Sequence, residues 1–293
     1  MSVASCMAEI AKTAAGYGLP FGAASPGISE SEQERLASYP PVPFAPAEMG
    51  VRKSGIAAAF PVRSVLVFLF PYYRRAAEMN LSQYAQCVDY HRIVPQYLQV
   101  FAEILHRHFP AAQSQIQTDA TPVLERYFAW KAGLGVIGRN HCLIHPVYGS
   151  YCFIGSIVTD AALPAAVPLA GSCRGCGRCL AACPGNCLDC GDFFSCRSYL
   201  TQKKGELSAA EQAILRRSPL LFGCDVCQDV CPHNRSIPDT PIPEFLSPRL
   251  PLLDTGELEG LTNRQFKERY GDFAFAWRGK AVLLRNQALL SSS

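Results

Sequence analysis

CRGCGRCLAACP, residues 173–184, is answered further along the chain by CDVCQDVCP, residues 224–232. The first stretch places Cys173, Cys176, Cys179 and Cys183 at the spacing C-x2-C-x2-C-x3-C-P. At that spacing three close thiolates grip one [4Fe-4S] cluster, and the fourth, just before proline, crosses to a second cluster. One run therefore implies another. Cys224, Cys227 and Cys231, the last before Pro232, supply most of it. The spacing asks for one more ligand at position 221, where Leu221 stands. Cys173, Cys176, Cys179 and Cys231 make up one set. Cys183, Cys224 and Cys227 belong to the other, with a fourth thiolate drawn from Cys187, Cys190 or Cys196. A structural zinc site and a three-iron second cluster are the alternatives. Zinc sites pair C-x2-C units and do not need the full run.

Working outward, the chain has 293 residues, 14 of them cysteine, with 49% hydrophobic and 17% charged residues. That is long enough for one or two domains with a real core, of ordinary globular composition. The N-terminal twenty or so residues carry neither the positive region nor the long apolar region of a secretory signal. Arg74-Arg75 and Arg216-Arg217 are internal, so they make no twin-arginine leader. No apolar stretch reaches the ~18 residues of a membrane span. Reduced thiols in a cytoplasmic protein suit cluster ligation better than a disulfide framework. A net charge of +3 permits a nucleic-acid partner without arguing for one.

Three domains are expected: residues 1–160, 161–240 and 241–293. In the first, residues 3–15 and 29–36 read as helices and residues 22–27 as loop. Residues 39–50 form a proline-rich irregular segment. SVLVFLF, residues 64–70, is a continuous apolar run that predicts a buried central strand. Residues 81–109 predict a helix interrupted or started anew at Pro95, with Tyr97, Phe101, Ile104 and Leu105 as its apolar stripe. SQIQT, residues 114–118, predicts a short strand. Thr121-Pro122 then opens a helix over residues 123–132 that ends at Gly133. Residues 141–145 and 149–159 alternate like the strands of a hairpin. Residues 161–170 are an Ala/Pro linker. Residues 237–251 are a proline-rich strap, and residues 262–270 and 274–290 are helical.

The candidate chemistry of the first domain gathers at a few places. Gly133, Gly135 and Gly138 match G-x-G-x-x-G but follow a helix, the reverse of the dinucleotide-binding context. A glycine-rich turn lining another cofactor or a structural turn are the remaining readings. Asp89-Tyr90-His91 resembles the start of the cobalt-binding D-x-H-x-x-G loop, but Val94 replaces its glycine, so His91 is not a cobalt ligand. Asp119 falls where a strand ends and a helix is about to begin, a place where ligand sites cluster. It either caps that helix or acts as a general acid. Glu125 and Arg126 either position this loop or are solvated charges. Cys6, Cys87, Cys142 and Cys152 read as buried thiols.

Taken together these segments resemble the epoxyqueuosine reductase family. The likeness spans roughly residues 64–234, with an echo at Arg285-Asn286-Gln287. It rests on Tyr84-Ala85, Asp89-Tyr90-His91, residues 119–126 and 133–140, Gly149-Ser150 with Gly155, both cysteine runs, and CRSYLT at residues 196–201. The resemblance implies an α/β (α+β) cofactor-binding domain, a ferredoxin-like double [4Fe-4S] domain and a short helical tail. It makes Cys196 the missing cluster ligand. It implies a cobalamin bound without a protein ligand to cobalt, with Asp89, His91, Gly133, Gly135 and Gly138 among the candidate contacts. It also makes Asp119 the proton donor. The reaction implied is reduction of epoxyqueuosine to queuosine in tRNA, fed by an external electron donor, in a cytoplasmic monomer with no membrane partner. Departures from the family pattern are Arg139 for lysine, Ser156 for an acidic residue, Val226 for aspartate and His233 for tryptophan. Relatives also commonly continue past Gln287 into further helical, tRNA-contacting sequence. Two other readings compete: a paralogue with the same cofactors and another substrate, and a non-catalytic electron carrier.

Overall fold

The computed structural model describes residues 2–38, 56, 58–119 and 124–291. The expected irregular segment at residues 39–50 and the expected helix start at Thr121-Pro122 lie outside them. The chain divides into two compact units. The first takes in residues 1–40, 44–71 and 91–175, the second residues 41–43, 72–90 and 176–293.

The first unit opens with helix α1 (Val3–Gly16), whose N-terminus is capped by the Ser2 side chain bonding the Ser5 N–H. Strand β1 (Phe21–Ala24), helix α2 (Glu30–Ser38), strand β2 (Ser64–Pro71) and helix α3 (Tyr90–His108) follow. Next come β3 (Ser114–Thr118), α4 (Glu125–Lys131), the short hairpin β4 (Val136–Ile137) and β5 (Leu143–Ile144), and β6 (Cys152–Thr159). The main sheet has the order β1-β2-β6-β3 and is antiparallel throughout.

The apolar run of β2 is an interior strand, buried at all eight positions. Its continuous hydrophobicity arises because both faces of an antiparallel sheet are covered, each by a helix. On one face Val65, Val67, Leu69, Ile154 and Val158 pack with Phe128, Ala129 and Ala132 of the α4 region. On the other, Phe68 stacks on Phe101 of α3 with ring centroids 4.2 Å apart. Gly155 of β6, opposite Phe68, is where α3 comes closest. A Cβ there would stand 2.5 Å from Val94 Cγ1 and 2.9 Å from Leu98 Cδ1.

Three expectations need correction. Residues 21–24 are not loop but the edge strand β1, registered Phe21 to Phe68 through Ala24 to Val65. Gly22 hid it: the glycine that reads as a loop is required because a Cβ would lie 2.2 Å from the Ala132 carbonyl oxygen. The expected hairpin of residues 141–145 with 149–159 exists only as a bridge between His145 and Gly149. β6 leaves it and runs between β2 and β3, while β5 pairs with β4. The expected helix over residues 81–109 is shorter. Residues 83–85 form a single 3-10 turn, and α3 starts at Tyr90, so Pro95 falls in its second turn.

The second unit consists of short helices. They are α5 (Arg178–Ala182), α6 (Cys187–Cys190), α7 (Arg197–Leu200), α8 (Ala209–Leu215) and α9 (Val226–Asp229). α10 (Pro243–Leu246), α11 (Thr255–Gly260), α12 (Asn263–Tyr270) and α13 (Lys280–Ser291) complete it. α8 and α12 both begin with a reciprocal capping box, Ser208 with Glu211 and Thr262 with Gln265. Its apolar core joins Leu81, Ala85, Leu221 and Phe222 to Leu258, Phe266, Phe275 and Leu283.

The approach of α3 to the sheet makes Gly155 intolerant of a side chain. Gly155→Val is expected to lower the urea midpoint of the protein by an amount worth roughly 1–3 kcal/mol, the usual cost of overpacking. An unchanged midpoint would show that α3 does not meet the sheet there.

Candidate functional site

In the second unit the cysteine-bearing segments are short turns whose backbone N–H groups point at sulfur. Cys183 Sγ accepts from the N–H groups of Gly185, Cys187 and Leu188. Cys196 Sγ sits at the start of α7 and accepts from Ser198 and Tyr199. Cys224 Sγ accepts from Val226, and Cys179 Sγ from Leu180. N–H donors aimed at sulfur stabilise thiolates, the form that binds iron. Cys196 and Cys224 are close enough to feel each other's charge. Burial pushes the Cys224 thiol up to about 11. Among the described residues no three His, Cys, Asp or Glu side chains are grouped to hold a single metal ion. A four-iron cluster asks for something else, because each of its four thiolates takes a separate iron.

Arg197 holds this arrangement together. Its side chain is 1% exposed. The guanidinium donates to the carbonyl oxygens of Leu215 at 2.8 Å, Gly223 at 2.9 Å, Ser218 at 2.5 Å and Leu220 at 2.6 Å. It also bonds the Cys224 side chain. Thus the residue after Cys196 pins the loop that delivers Cys224. Asn286 of α13 closes the same knot, its amide donating to the carbonyls of Thr201 and Leu221 at 2.8 and 2.7 Å. Asp225, buried between Cys224 and Cys227, accepts the Gln83 N–H at 2.6 Å. Burial pushes its carboxyl up to about 7. Sequence reasoning named none of Arg197, Asn286 and Asp225 as an anchor, although Arg197 and Asn286 stood inside the motifs it quoted.

Cys187 is buried with its Sγ 3.5 Å from Cys183 Sγ. Either sulfur of that pair can be the donor, and Cys187 is also within hydrogen-bond reach of Cys196. Cys190 is exposed.

The first unit brings together residues far apart in sequence. Asp119 follows β3 with a positive φ of 52°. Its Oδ2 lies 2.9 Å from His91 Nε2, and its backbone N–H donates to Glu125 Oε1 at 2.7 Å. The side chains of His91 and Asp119 are 44% and 51% exposed, so a substrate can reach both. Burial, reinforced by the Asp119 charge, pushes Glu125 up to about 8, so its carboxyl keeps its proton at neutral pH. Arg126 donates to the His141 carbonyl, itself at a positive φ of 61°. Glu125 thus holds the backbone of Asp119, and Arg126 holds the turn at His141. α4 itself starts at Glu125, with Leu124 as its N-cap residue and no side-chain cap.

The other expected residues are accounted for by their neighbours. Asp89 itself lies in the second unit, where its N–H donates to the Asp272 carbonyl. Gly133 has φ 74°, and a Cβ there would lie 2.8 Å from the Val167 carbonyl oxygen. A Cβ at Gly135 or Gly138 would lie 2.4 Å from the Ile144 carbonyl oxygen or from Asn140 Oδ1. Cys6 and Cys87 are buried as expected, whereas Cys142 and Cys152 are partly exposed. Three buried polar atoms on β3 and β6, Gln117 Nε2, Thr118 Oγ1 and Ser156 Oγ, have no partner among the described residues. Ser156 Oγ and Gln117 Nε2 belong to directly paired positions on one face of the sheet.

Glu125 generates a pH prediction. Its folded-state value near 8 stands above the ordinary 4.5, so its stabilising share is complete below about pH 4.5 and lost as pH rises through about 8. Glu125→Gln keeps an acceptor for the Asp119 N–H but cannot ionise. Urea midpoints measured at about pH 5 and about pH 9 should therefore fall less with pH in the variant than in the wild type. Parallel pH dependences would contradict the assignment.

Comparisons with known proteins bear on both units. Residues 172–234 match the family model described as "4Fe-4S double cluster binding domain". Residues 56–120 match "Epoxyqueuosine reductase QueG, DUF1730". The epoxyqueuosine reductase of Staphylococcus aureus is 37% identical over 210 residues, 69% of this chain and 53% of the relative. That of Listeria monocytogenes is 34% identical over 213 residues, 69% of this chain and 54% of the relative. That of Synechococcus sp. is 31% identical over 228 residues, 74% of this chain and 70% of the relative. The chain thus spans about half the length of the first two. Among solved structures, the Streptococcus thermophilus epoxyqueuosine reductase superposes with a TM-score of 0.83 at 24% identity, over 97% of this chain and 80% of that one. An epoxyqueuosine reductase crystallised with an epoxyqueuosine-modified tRNA-Tyr stem loop superposes with a TM-score of 0.83 at 24% identity, over 99% and 81%. These two share the fold. With the sequence relatives they show that this chain belongs to the epoxyqueuosine reductase family.

Proposed function

We propose that this chain is the reductase core that converts epoxyqueuosine in tRNA to queuosine, using two [4Fe-4S] clusters and cobalamin. The observation that carries the proposal is Asp119, exposed, held at a positive φ and clamped between His91 and Glu125. A carboxyl so placed is oriented before substrate arrives, which is what general-acid catalysis needs. The reaction takes an epoxide, two electrons and two protons to an alkene and water. Asp119 delivers a proton to the departing oxygen, and His91 Nε2, bonded to Asp119 Oδ2, returns a proton to it from solvent. Glu125, neutral at pH 7, holds the Asp119 backbone without adding a second negative charge beside the developing alkoxide.

For the clusters, we assign Cys173, Cys176, Cys179 and Cys231 to one and Cys183, Cys196, Cys224 and Cys227 to the other. Backbone N–H groups converging on Cys179, Cys183, Cys196 and Cys224 support that choice. The partnerless Gln117 Nε2 on β3, the strand that leads to Asp119, and Ser156 Oγ, its paired neighbour on β6, fit a large ligand with polar edges such as a corrin with its amide side chains. When bound, cobalamin supplies low-potential reduction at carbon, and the protein's part is to orient substrate and exclude water. His91 and Ser156 with Gln117 are the contacts we favour. Gly133, Gly135 and Gly138 shape the turn nearby.

The family relatives act on epoxyqueuosine by name, and one solved relative holds a modified tRNA stem loop. That is the ground for taking tRNA as the substrate here. No helix of the described residues is long and apolar enough to cross a membrane. The thiols call for a reducing compartment, and we place the protein in the cytoplasm as a monomer fed by an external electron donor.

The test is anaerobic incubation of the reconstituted protein with epoxyqueuosine-containing tRNA and a chemical reductant, followed by nucleoside analysis. Queuosine is expected. Asp119→Asn is expected to lower turnover at least about 100-fold while iron and cobalamin content stay unchanged. Cobalamin binding without queuosine would transfer the proposal to a relative with another substrate, and clusters without cobalamin would leave only an electron carrier.

A further inference from the structure

We propose that Cys187, which belongs to neither ligand set, donates its S–H to two thiolate ligands of the second cluster and so holds that cluster's potential up. The proposal rests on the assignment of Cys183 and Cys196 as ligands made above. Cys187 opens α6 and is 2% exposed. Its sulfur lies 3.5 Å from Cys183 Sγ and is also hydrogen-bonded to Cys196. Geometry alone lets either sulfur of a pair donate. With Cys183 and Cys196 bound to iron as thiolates, neither carries a proton, so Cys187 is the donor to both.

The local backbone explains why the side chain stands there. Asn186 takes a positive φ of 54° and turns the chain immediately after Cys183-Pro184. The N–H groups of Gly185, Cys187 and Leu188 wrap the Cys183 sulfur. That wrapping leaves the Cys187 side chain on the inner side of the turn, facing Cys196. Cys190, one helical turn further, is exposed and takes no part.

A fifth cysteine beside a four-thiolate site either competes for iron or supports the ligands. Two observations favour support. Cys196 is the sulfur that shares the neighbourhood of Cys224, and the Arg197 side chain fixes that neighbourhood through four carbonyl bonds and Cys224 itself. Cys187, in contrast, stands between Cys183 and Cys196 and reaches both as a donor. The consequence is electrostatic. Reduction adds negative charge, part of which falls on the ligand sulfurs. A buried donor proton stabilises that charge more than it stabilises the oxidised cluster. Deleting it makes the cluster harder to reduce. Cys187 is a positioning and tuning residue in this account, not an electron carrier, and no bond to it is made or broken.

The experiment compares wild type, Cys187→Ala, Cys187→Ser and Cys196→Ser as anaerobically reconstituted full-length chains. Iron is counted, and the midpoint potentials of both clusters are followed by paramagnetic resonance during a redox titration. Cys187→Ala is expected to keep all its iron and to show one potential shifted down with the other unmoved. Cys187→Ser, which retains a donor, is expected to lie nearer wild type, and it serves also if the alanine variant fails to fold. Unchanged potentials in Cys187→Ala, with half the iron lost in Cys196→Ser, would overturn the hydrogen-bond role alone. Half the iron lost in Cys187→Ala, with full iron in Cys196→Ser, would overturn the ligand assignment beneath it.

Discussion

The second unit depends on a buried guanidinium. Arg197 is enclosed almost completely, yet it meets carbonyl oxygens of Leu215, Ser218, Leu220 and Gly223 and the side chain of Cys224. Apart from the bridge of Phe222 to Leu81, residues 216–225 form no helix or strand, so most of their carbonyls have no ladder to satisfy them, and buried carbonyls must find a donor somewhere. Arginine is suited to that task because it carries five donors in a rigid fork and keeps its charge. Burial lowers its pKa from the ordinary value without threatening that charge. Removing the cation leaves buried carbonyls without a donor, at a cost of about 1–3 kcal/mol for each one left unsatisfied. The cost would fall on the loop that places Cys224 beside Cys196.

The cysteine pattern was legible because iron coordination within a run is local, so three or four residues of spacing carry it. The choice of Cys196 over Cys187 and Cys190 was not. The contacts that favour Cys196 in our assignment lie 18 to 26 residues away, from Arg197 to Leu215 and Gly223, and leave no periodic trace. The resemblance to a family supplied what spacing left open. The same distinction runs through the first unit. β2 announced itself through an unbroken apolar run, and β3 lay where expected at residues 114–118. β1 did not, because four residues containing Gly22 and bounded by Pro20 carry no pattern of their own. Its glycine answers to the Ala132 carbonyl oxygen, more than a hundred residues on. β6 looked like half of a hairpin because it alternates no differently as an interior strand.

Asp119 was readable as a strand-end residue, but its setting was not. His91 is 28 residues upstream on the first turn of α3, and only the antiparallel sheet brings it to Asp119. Glu125 looked like a solvated helix charge. It is instead a half-buried acid, kept protonated by desolvation and by the carboxylate it faces, and it holds the Asp119 backbone in the left-handed region, which aspartate enters more readily than most residues.

The central claim is that the displaced cysteine of the CRSYLT segment completes a second four-iron cluster. It is tested most directly by counting iron and sulfide in the anaerobically reconstituted chain and in its Cys196→Ser variant. The account predicts about eight irons per chain in the first and about four in the second. Eight irons in the variant, or four in the unaltered protein, would contradict it.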